Sequence, residues 1–337
     1  MAGQRKERLP IGLCVYAIPY LFGVGGADAN PDPLGYFGFM ELAARLGLSA
    51  VEIPPLAAGP EKDAPTPEAI RDRAGELGLQ VVAAGRRVRR ETLSEDIDFA
   101  SAIGAGVLRC TLSGVLCGDR GKVGGLAGWR DLLGETLTVL KELAPMAEDR
   151  GIHLGMENHQ DATSWDLVRL CEESGSPNVG VTLDTGNALA VCEDVLEFAE
   201  RVLPHVVNVH LKDYRMFGTP SGFRLVHCPI GSGVVDFAAL FRLLEDKPDA
   251  ARNIEMASEH ERHIRLLDDD YWSGHEPRDV RSVVPVLRLW REREEAGDWQ
   301  TPREKGEFDK LTAWEMARLE ESVRLMGELL SSRAEGR

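Results

Sequence analysis

Four residues able to bind a metal ion lie at the ends of short apolar segments that are typical of β-strands. In each case an acid or a histidine closes the segment or follows it directly, and the four are Glu157, Asp184, His210 and Glu255. Three carboxylates gathered with an imidazole repel strongly unless a cation lies among them. Mixed oxygen and nitrogen ligands suit Mn²⁺, Co²⁺, Mg²⁺ and Zn²⁺. The pattern predicts a site for one divalent metal ion, with Mn²⁺ as the first expectation.

These four residues also have a purely structural interpretation. Taken singly, each of them is an ordinary loop acid or a partner in a salt bridge. Glu259 and His260 in addition offer a rival pair of ligands near the last apolar segment. We favour the metal site because the four residues occur in register on four consecutive segments, whose carboxyl ends would meet in one place.

The segments that must position these residues alternate with longer helical patterns. Strands that alternate with helices imply parallel strands joined by crossovers, and eight such units close a (β/α)₈ TIM barrel, an α/β fold. The predicted strands are Ile11–Ala17, Ala50–Ile53, Gln80–Ala84, Val107–Thr111, His153–Glu157, Val179–Leu183, Val206–His210 and Asn253–Met256. The active site of such a barrel lies at the carboxyl ends of its strands, where the four candidate ligands stand.

The length of 337 residues fits one barrel with an addition, because barrels typically need about 250 residues. We predict a barrel over residues 10–258 and a C-terminal helical extension over residues 259–337. The extension contains two amphipathic patterns, Val280–Arg293 and Leu311–Leu330, and would pack on the barrel or on a partner subunit. A doubly wound open sheet is the competing fold, but the glycines after the first strand do not form G-x-G-x-x-G.

Composition excludes several kinds of partner. The formal net charge of −16 opposes binding to a phosphate backbone, so we expect no nucleic-acid partner. No segment approaches the roughly 18 apolar residues of a membrane span, and no signal-peptide core follows the N-terminus. The six cysteines form no C-x-x-C pair and are expected to be free thiols in a reducing compartment. These features predict a cytoplasmic protein with no membrane partner.

Five short motifs resemble a known family. They are Met-Glu-Asn-His (156–159), Leu-Asp-Thr-Gly-Asn (183–187), His-Leu-Lys-Asp (210–213), Pro-Ile-Gly-Ser-Gly-Val-Val-Asp-Phe (229–237) and Ile-Glu-Met (254–256). Over roughly residues 10–258 the chain resembles the xylose-isomerase-like barrels, a family of sugar phosphate isomerases and epimerases. In that family Glu, Asp, His and Glu on strands five to eight bind the metal, and they correspond here to the four candidate ligands.

The resemblance implies a reaction as well as a fold. In this family a bound metal polarises a substrate carbonyl and stabilises an enediolate, while Glu157 and Glu255, on opposite sides of the substrate, transfer the proton. The expected activity is isomerisation or epimerisation of a small sugar or keto-polyol. The alternative is a lyase or dehydratase that acts on a keto-sugar, similar to inosose dehydratases or to the metal subunit of C-glycoside deglycosidases. Asn187 and Ser232 stand where many relatives have His and an acidic residue.

Further residues are expected to support the site, and each has an alternative role. Among the catalytic candidates, His159 either exchanges protons or is a loop histidine, and Lys212 either binds a substrate oxygen or pairs with Asp213. Three more residues are substrate-binding candidates. Asn187 contacts substrate or orients Asp184, Glu52 lines the pocket or forms a structural ion pair, and Arg224 binds a phosphate or carboxylate or lies at the surface.

Two other classes of protein compete with the isomerase prediction. A related barrel family cuts abasic DNA with several zinc ions, but that chemistry needs more histidine and acid ligands and a basic groove. A non-catalytic barrel that binds a sugar or serves as a partner subunit is the other class. For the enzyme we expect a homo-oligomer, with a hetero-oligomer as the alternative.

Overall fold

Eight parallel strands form a closed barrel in the computed structural model, which describes residues 8–24, 30–60, 65–256, 262–297 and 299–335. The barrel strands are β1 (Leu9–Cys14), β2 (Leu48–Ile53), β3 (Gln80–Arg87), β4 (Val107–Thr111), β5 (His153–Glu157), β6 (Val179–Asp184), β7 (Val206–Leu211) and β10 (Ala251–Ile254). Each strand pairs with its neighbour along the chain, except that β7 pairs with β10, and β10 closes the ring against β1. The predicted barrel is therefore confirmed.

Helices follow the barrel strands and surround them. They are α1 (Pro19–Phe22), α2 (Gly35–Arg45), α3 (Pro67–Leu77), α4 (Arg90–Ala102), α5 (Gly125–Asp149), α6 (Ser164–Ser174), α7 (Val195–Val202), α8 (Phe237–Leu243), α9 (Asp269–Ser273), α10 (Val284–Arg293) and α11 (Leu311–Glu335). The strands are buried on both faces, as a barrel covered by helices requires. Among the described residues, no helix has both the length and the hydrophobicity needed to cross a membrane.

Local sequence explains where several helices begin and end. Thr66 caps α3, since its hydroxyl accepts a hydrogen bond from the Ala69 amide at 3.2 Å, and Pro67 occupies the first helical position. The helix ends at Gly78, whose φ of 63° favours glycine. Thr163 and Asp166 form a capping box at the start of α6. These caps fix the loops that lead into and out of the barrel.

Several predicted bounds differ from the structure. The eighth strand, predicted at Asn253–Met256, is Ala251–Ile254, so Glu255 follows it directly. The first predicted strand, Ile11–Ala17, is too long, because Val15–Ala17 form a 3₁₀ turn that leads into Pro19 at the start of α1. Between the seventh and eighth predicted strands, where we predicted no further strand, the chain forms a β-hairpin. Its strands are β8 (Tyr214–Thr219) and β9 (Gly222–His227), and they join β11 (Arg262–Ile264) and β12 (Glu294–Glu295) in a second sheet.

The C-terminal extension packs on the barrel. The Glu315 carboxylate accepts hydrogen bonds from the Tyr20 and Leu21 amides at 3.1 and 2.8 Å, at the start of α1. Ser322, which lies on α11 as Glu315 does, accepts a hydrogen bond from the Ile230 amide at 3.0 Å. The boundary proposed at residues 258 and 259 lies outside the described residues, and contact with a partner subunit stays a prediction.

Candidate metal centre

The carboxyl ends of four neighbouring strands bring the candidate ligands together. Each residue offers one ligand atom, and these atoms all lie within 4.8 Å of one another in the group Glu157, Asp184, His210 and Glu255. All four side chains are buried. Because the strands are parallel and adjacent in the barrel, their last residues share one rim. The register pairs Asp184 directly with His210.

The chemistry of this donor set fits a divalent ion. Within the described part of the chain, Glu157 Oε1 and His210 Nδ1 are buried and have no hydrogen-bond partner of acceptable geometry. His210 Nδ1 lies 3.6 Å from Glu157 Oε1 and contacts the carboxylate of Glu255. Buried donors and acceptors without partners are costly, and a cation bound between the four ligand atoms would give these two atoms a partner. Three carboxylates and an imidazole suit a mixed oxygen and nitrogen site.

The pKa values of the carboxylates reflect this crowding. Burial opposes ionisation of Glu157, but Arg109 and then His159 outweigh it and lower its pKa to about 2. Burial opposes ionisation of Glu255 too, yet Lys212 and His210 bring its pKa well below the usual range. Asp184 differs, because burial and the charges of Glu255 and Glu157 raise its pKa to about 7. The neighbouring carboxylates therefore disfavour the ionised form of Asp184, and a divalent cation bound in the centre would offset this repulsion.

Lys212 belongs to the centre. Its ammonium contacts Asp184 Oδ2 and lies 3.0 Å from Glu255 Oε1, and the side chain is buried. The alternative pairing of Lys212 with Asp213 is wrong, because the Asp213 carboxylate is occupied elsewhere. It accepts hydrogen bonds from the backbone amides of four residues, which are Tyr214, Gly231, Gly233 and Val235.

Asn187 orients a candidate ligand. Its Nδ2 donates to Asp184 Oδ2 at 2.8 Å, and its Oδ1 accepts from the Tyr214 hydroxyl at 2.8 Å. Gln160 donates to the same Oδ1 at 3.2 Å. Of the two roles expected for Asn187, the structure shows the contact with Asp184. The sequence did not indicate the contacts of Gln160 and Tyr214 with Asn187.

Glu52 lies beneath the centre and is fully buried. Its Oε2 lies 2.8 Å from His210 Nε2, and its Oε1 lies 3.2 Å from Arg109 Nε. Amides of Asn208 and Asn253 also donate to Oε2, at 3.1 and 3.3 Å. Both carboxylate oxygens are engaged by protein groups, so this position corresponds to the buried ion pair and not to the expected contact with substrate.

Of the remaining candidate site residues, His159 lies close in sequence to the candidate ligand Glu157, whereas Arg224 contacts the C-terminal extension. His159 follows Glu157 by two positions and is half-buried, and its Nδ1 has no hydrogen-bond partner among the described residues. Arg224, on β9, donates from Nη2 to the carbonyl oxygen of Trp299 at 2.7 Å, which is a contact with the C-terminal extension. The rival pair Glu259 and His260 lies outside the described residues.

Arg109, Asn208 and Asn253 are parts of the site that sequence reasoning missed. Each is a polar residue inside a short buried strand, which is unusual enough to have been a signal. Asn208 and Asn253 also precede His210 and Glu255 by two positions, so each faces the same side of its strand as a candidate ligand.

Known proteins share this architecture. The chain matches the family described as xylose isomerase-like TIM barrel over residues 40–281. It is 27% identical to 3-oxo-isoapionate decarboxylase of Pectobacterium atrosepticum over 277 residues, which cover 79% of this chain and 93% of the relative.

Two solved structures have a similar fold. D-allulose 3-epimerase from Methylomonas sp., in complex with D-allulose, has a TM-score of 0.54 at 18% identity, covering 86% of this chain and 98% of the other. A xylose isomerase-like TIM barrel protein from Mycobacterium smegmatis, in complex with magnesium, has a TM-score of 0.53 at 18% identity, covering 84% and 97%. At this identity the likeness shows the fold. The family match spans more than half of the chain, and the protein therefore belongs to the xylose isomerase-like TIM barrel family.

Proposed function

We propose that this protein is a divalent-metal-dependent decarboxylase of a polyhydroxylated 3-oxo acid. The observation that carries the proposal is the Lys212 ammonium, which is buried in the centre beside Asp184 and Glu255. A buried ammonium at the mouth of the barrel can bind a substrate carboxylate or a developing oxyanion. A divalent ion held by the four ligands would act as a Lewis acid toward the neighbouring carbonyl.

The charge balance of the centre supports an anionic substrate. Four carboxylates lie in it or directly beneath it, and Arg109 and Lys212 offset two of them. A divalent cation would offset the other two, and the loaded centre would carry no net charge with a neutral His210. A carboxylate group of the substrate would therefore enter without strong repulsion.

The electrostatics also favour a reaction that needs no strong base. Arg109 beside Glu157, and Lys212 with His210 beside Glu255, hold both carboxylates ionised, which makes them good ligands and weak proton acceptors. In a decarboxylation the bond to the carboxylate breaks, CO₂ leaves, and the electron pair stays on the substrate as an enediolate. A single proton must then reach carbon, and half-buried His159, two residues after Glu157, is our candidate donor.

The relative that spans most of both chains supports this choice, since its name describes the decarboxylation of a 3-oxo acid. Isomerisation or epimerisation of a sugar or keto-polyol is the second candidate. It is favoured by the position of Glu157 and Glu255 in one centre, where the two carboxylates could remove and return a proton. Loss of a β-hydroxyl from a keto-sugar would pass through a similar enediolate and defines the dehydratase alternative.

One experiment separates these reactions. The Mg²⁺-loaded protein is incubated in D₂O with a panel of ¹³C-carboxyl-labelled 3-oxo sugar acids and of ketoses, and the products are followed by NMR. We expect labelled bicarbonate and one deuterium in the product. Deuterium exchange in ketoses without bicarbonate would support the epimerase instead. If no compound of the panel undergoes either reaction, both the decarboxylase and the epimerase proposals are contradicted, and a dehydratase or a non-catalytic subunit is favoured.

Lys212→Gln provides a sharper test of the same proposal. We expect at least a tenfold loss of kcat/KM on the acid, because the substrate carboxylate loses its cation. Lys141→Gln removes an exposed lysine on α5 and serves as the matched control. A kcat/KM in the Lys212→Gln protein equal to that of the unaltered protein would exclude a role for Lys212 in binding the substrate.

A further inference from the structure

Glu52 is the centre of a hydrogen-bond network that joins four strands below the metal centre. It extends from β2, and its partners are Arg109 on β4, Asn208 and His210 on β7, and Asn253 on β10. The carboxylate is fully buried, so no part of it reaches solvent. Four donors approach two oxygens, and this is close to the full accepting capacity of a carboxylate.

The network fixes which nitrogen of His210 faces the candidate ligands. Nε2 lies 2.8 Å from Glu52 Oε2, while Nδ1 lies on the other side of the ring, toward Glu157 and Glu255. An ionised carboxylate can only accept a hydrogen bond, and Nε2 must therefore carry the proton that is donated to Glu52. In the neutral imidazole this leaves the lone pair on Nδ1, directed into the centre.

Arg109 connects the same carboxylate to a second candidate ligand. Its Nε lies 3.2 Å from Glu52 Oε1 and 3.5 Å from Glu157 Oε2, and its guanidinium also donates to the Gly85 carbonyl oxygen at 3.1 Å. Tyr16 lies under the guanidinium, with 5.2 Å from Cζ to the ring centroid. These contacts leave Arg109 little freedom, so the positions of Glu52 and Glu157 depend on each other.

We propose that Glu52 is the positioning residue of the metal centre, holding His210 in the Nε2–H tautomer with Nδ1 free for the metal, and that Arg109 extends this control to Glu157. The inference rests on the proposed metal-dependent function and adds residues that would not touch the metal. Carboxylates that accept the second N–H of a ligating histidine orient the ring and raise its basicity, and their loss typically weakens metal binding by about 10–100-fold.

Glu52→Gln tests the proposal with almost no change in volume. A carboxamide has one accepting oxygen, whereas Glu52 accepts from Arg109 on one side and from His210, Asn208 and Asn253 on the other. In either orientation the new NH₂ group faces a donor. We expect Co²⁺ to bind about 10–100-fold more weakly, with an altered d–d absorption spectrum, in calorimetric and optical titrations of the whole chain.

Glu193→Gln is the matched control, because Glu193 is also buried but binds Ser164 and Arg201 outside the metal centre. It should bind Co²⁺ as the unaltered protein does. A circular dichroism spectrum and a thermal unfolding curve of each metal-free variant show whether it is folded. If Glu52→Gln does not fold, the tautomer of His210 in the unaltered protein decides the question.

That tautomer is observed by ¹⁵N NMR on the Zn²⁺-loaded protein with labelled histidine, with His210 assigned by its loss in His210→Gln. We expect a protonated Nε2 and a metal-bound Nδ1. Metal bound through Nε2, or unchanged Co²⁺ affinity and spectrum in folded Glu52→Gln, would overturn this inference alone. If the unaltered protein bound no divalent ion, the proposed function would fail and this inference with it.

Discussion

At the residue scale, the centre and its support are built from pairs of residues two positions apart. Asn208 and His210 share one side of β7, and Asn253 and Glu255 repeat the pairing at β10, since side chains alternate along a strand. The outer member of each pair reaches the candidate metal centre, and the inner member donates to the carboxylate of Glu52. One side of two strands thus supplies both a candidate ligand and an amide that binds Glu52.

Asp184→Asn should abolish stoichiometric metal binding while leaving the fold intact. The substitution removes one negative charge and places an amide beside Lys212. Since burial and neighbouring carboxylates already raise the pKa of Asp184 to about 7, neutralising it costs the metal-free fold little. Elemental analysis after desalting from excess Mn²⁺ measures the bound metal, and a thermal unfolding curve measures the fold.

Asp96→Asn is the control for this prediction. Asp96 is as buried as Asp184 but accepts hydrogen bonds from Arg86, on another part of the barrel. It should lower stability and retain one metal ion per chain. A full complement of metal in Asp184→Asn would remove this residue from the ligand set.

At the element scale, the close approach of three strands below the centre requires a glycine. A Cβ on Gly12 would lie 2.2 Å from Asn253 Oδ1 and 2.7 Å from the Ala50 carbonyl oxygen. Both distances are well inside van der Waals contact, and the second involves backbone that cannot easily move. The missing side chain of β1 therefore lets β2 and β10 keep the register that brings Asn253 to Glu52.

Gly12→Ala should destabilise the protein by about 1–3 kcal/mol, the range typical of an overpacked core. Gly134→Ala is the matched control, because Gly134 lies on the exposed side of α5 with no atom within 4 Å of a new Cβ. The control should stabilise the protein by about 1 kcal/mol through helix propensity. Urea unfolding of both variants measures the two free energies, and stabilisation of both would show that the barrel has room at Gly12.

The sequence predicted the barrel because its strands are apolar on both faces and its helices are capped by recognisable residues. The group of candidate ligands was also predictable, since each of the four lies at the carboxyl end of a strand or directly after it. The hairpin of β8 and β9 was missed, although polar Arg215 and Arg224 alternate with apolar neighbours around a Pro-Ser-Gly turn. The role that we propose for Glu52 could not be derived from the sequence, because its partners come from β4, β7 and β10, and no local pattern joins residues so far apart in the chain.

At the scale of the whole molecule, the C-terminal extension contacts loops at the carboxyl ends of the strands. The Tyr271 hydroxyl donates to the Ala190 carbonyl oxygen at 2.7 Å, and Arg278 donates to the Val191 carbonyl oxygen at 2.6 Å, both after β6. His275 Nε2 donates to the Gly118 carbonyl oxygen at 3.0 Å, after β4. The extension is therefore part of the face that carries the candidate metal centre, and its stability affects that face.

His275 makes this contact sensitive to acid. The ring is 5% exposed and stacks on Tyr271 with 4.9 Å between centroids. Burial, with the charges of Arg120 and Arg278, lowers its pKa from 6.5 to about 3. As the pH falls below 6.5 the unfolded chain binds a proton that folded His275 refuses, so stability present above that pH is lost progressively toward pH 3.

Between pH 7 and pH 5 this histidine alone should reduce the free energy of unfolding by about 2 kcal/mol. His275→Gln keeps a donor for the Gly118 carbonyl oxygen but cannot bind the proton, and the difference in stability between the two pH values should shrink by that amount. Urea unfolding at both pH values measures it, with His153→Gln as the control for loss of an exposed histidine. If His275→Gln loses as much stability as the unaltered protein on going to pH 5, the extension is not the acid-sensitive part of this face.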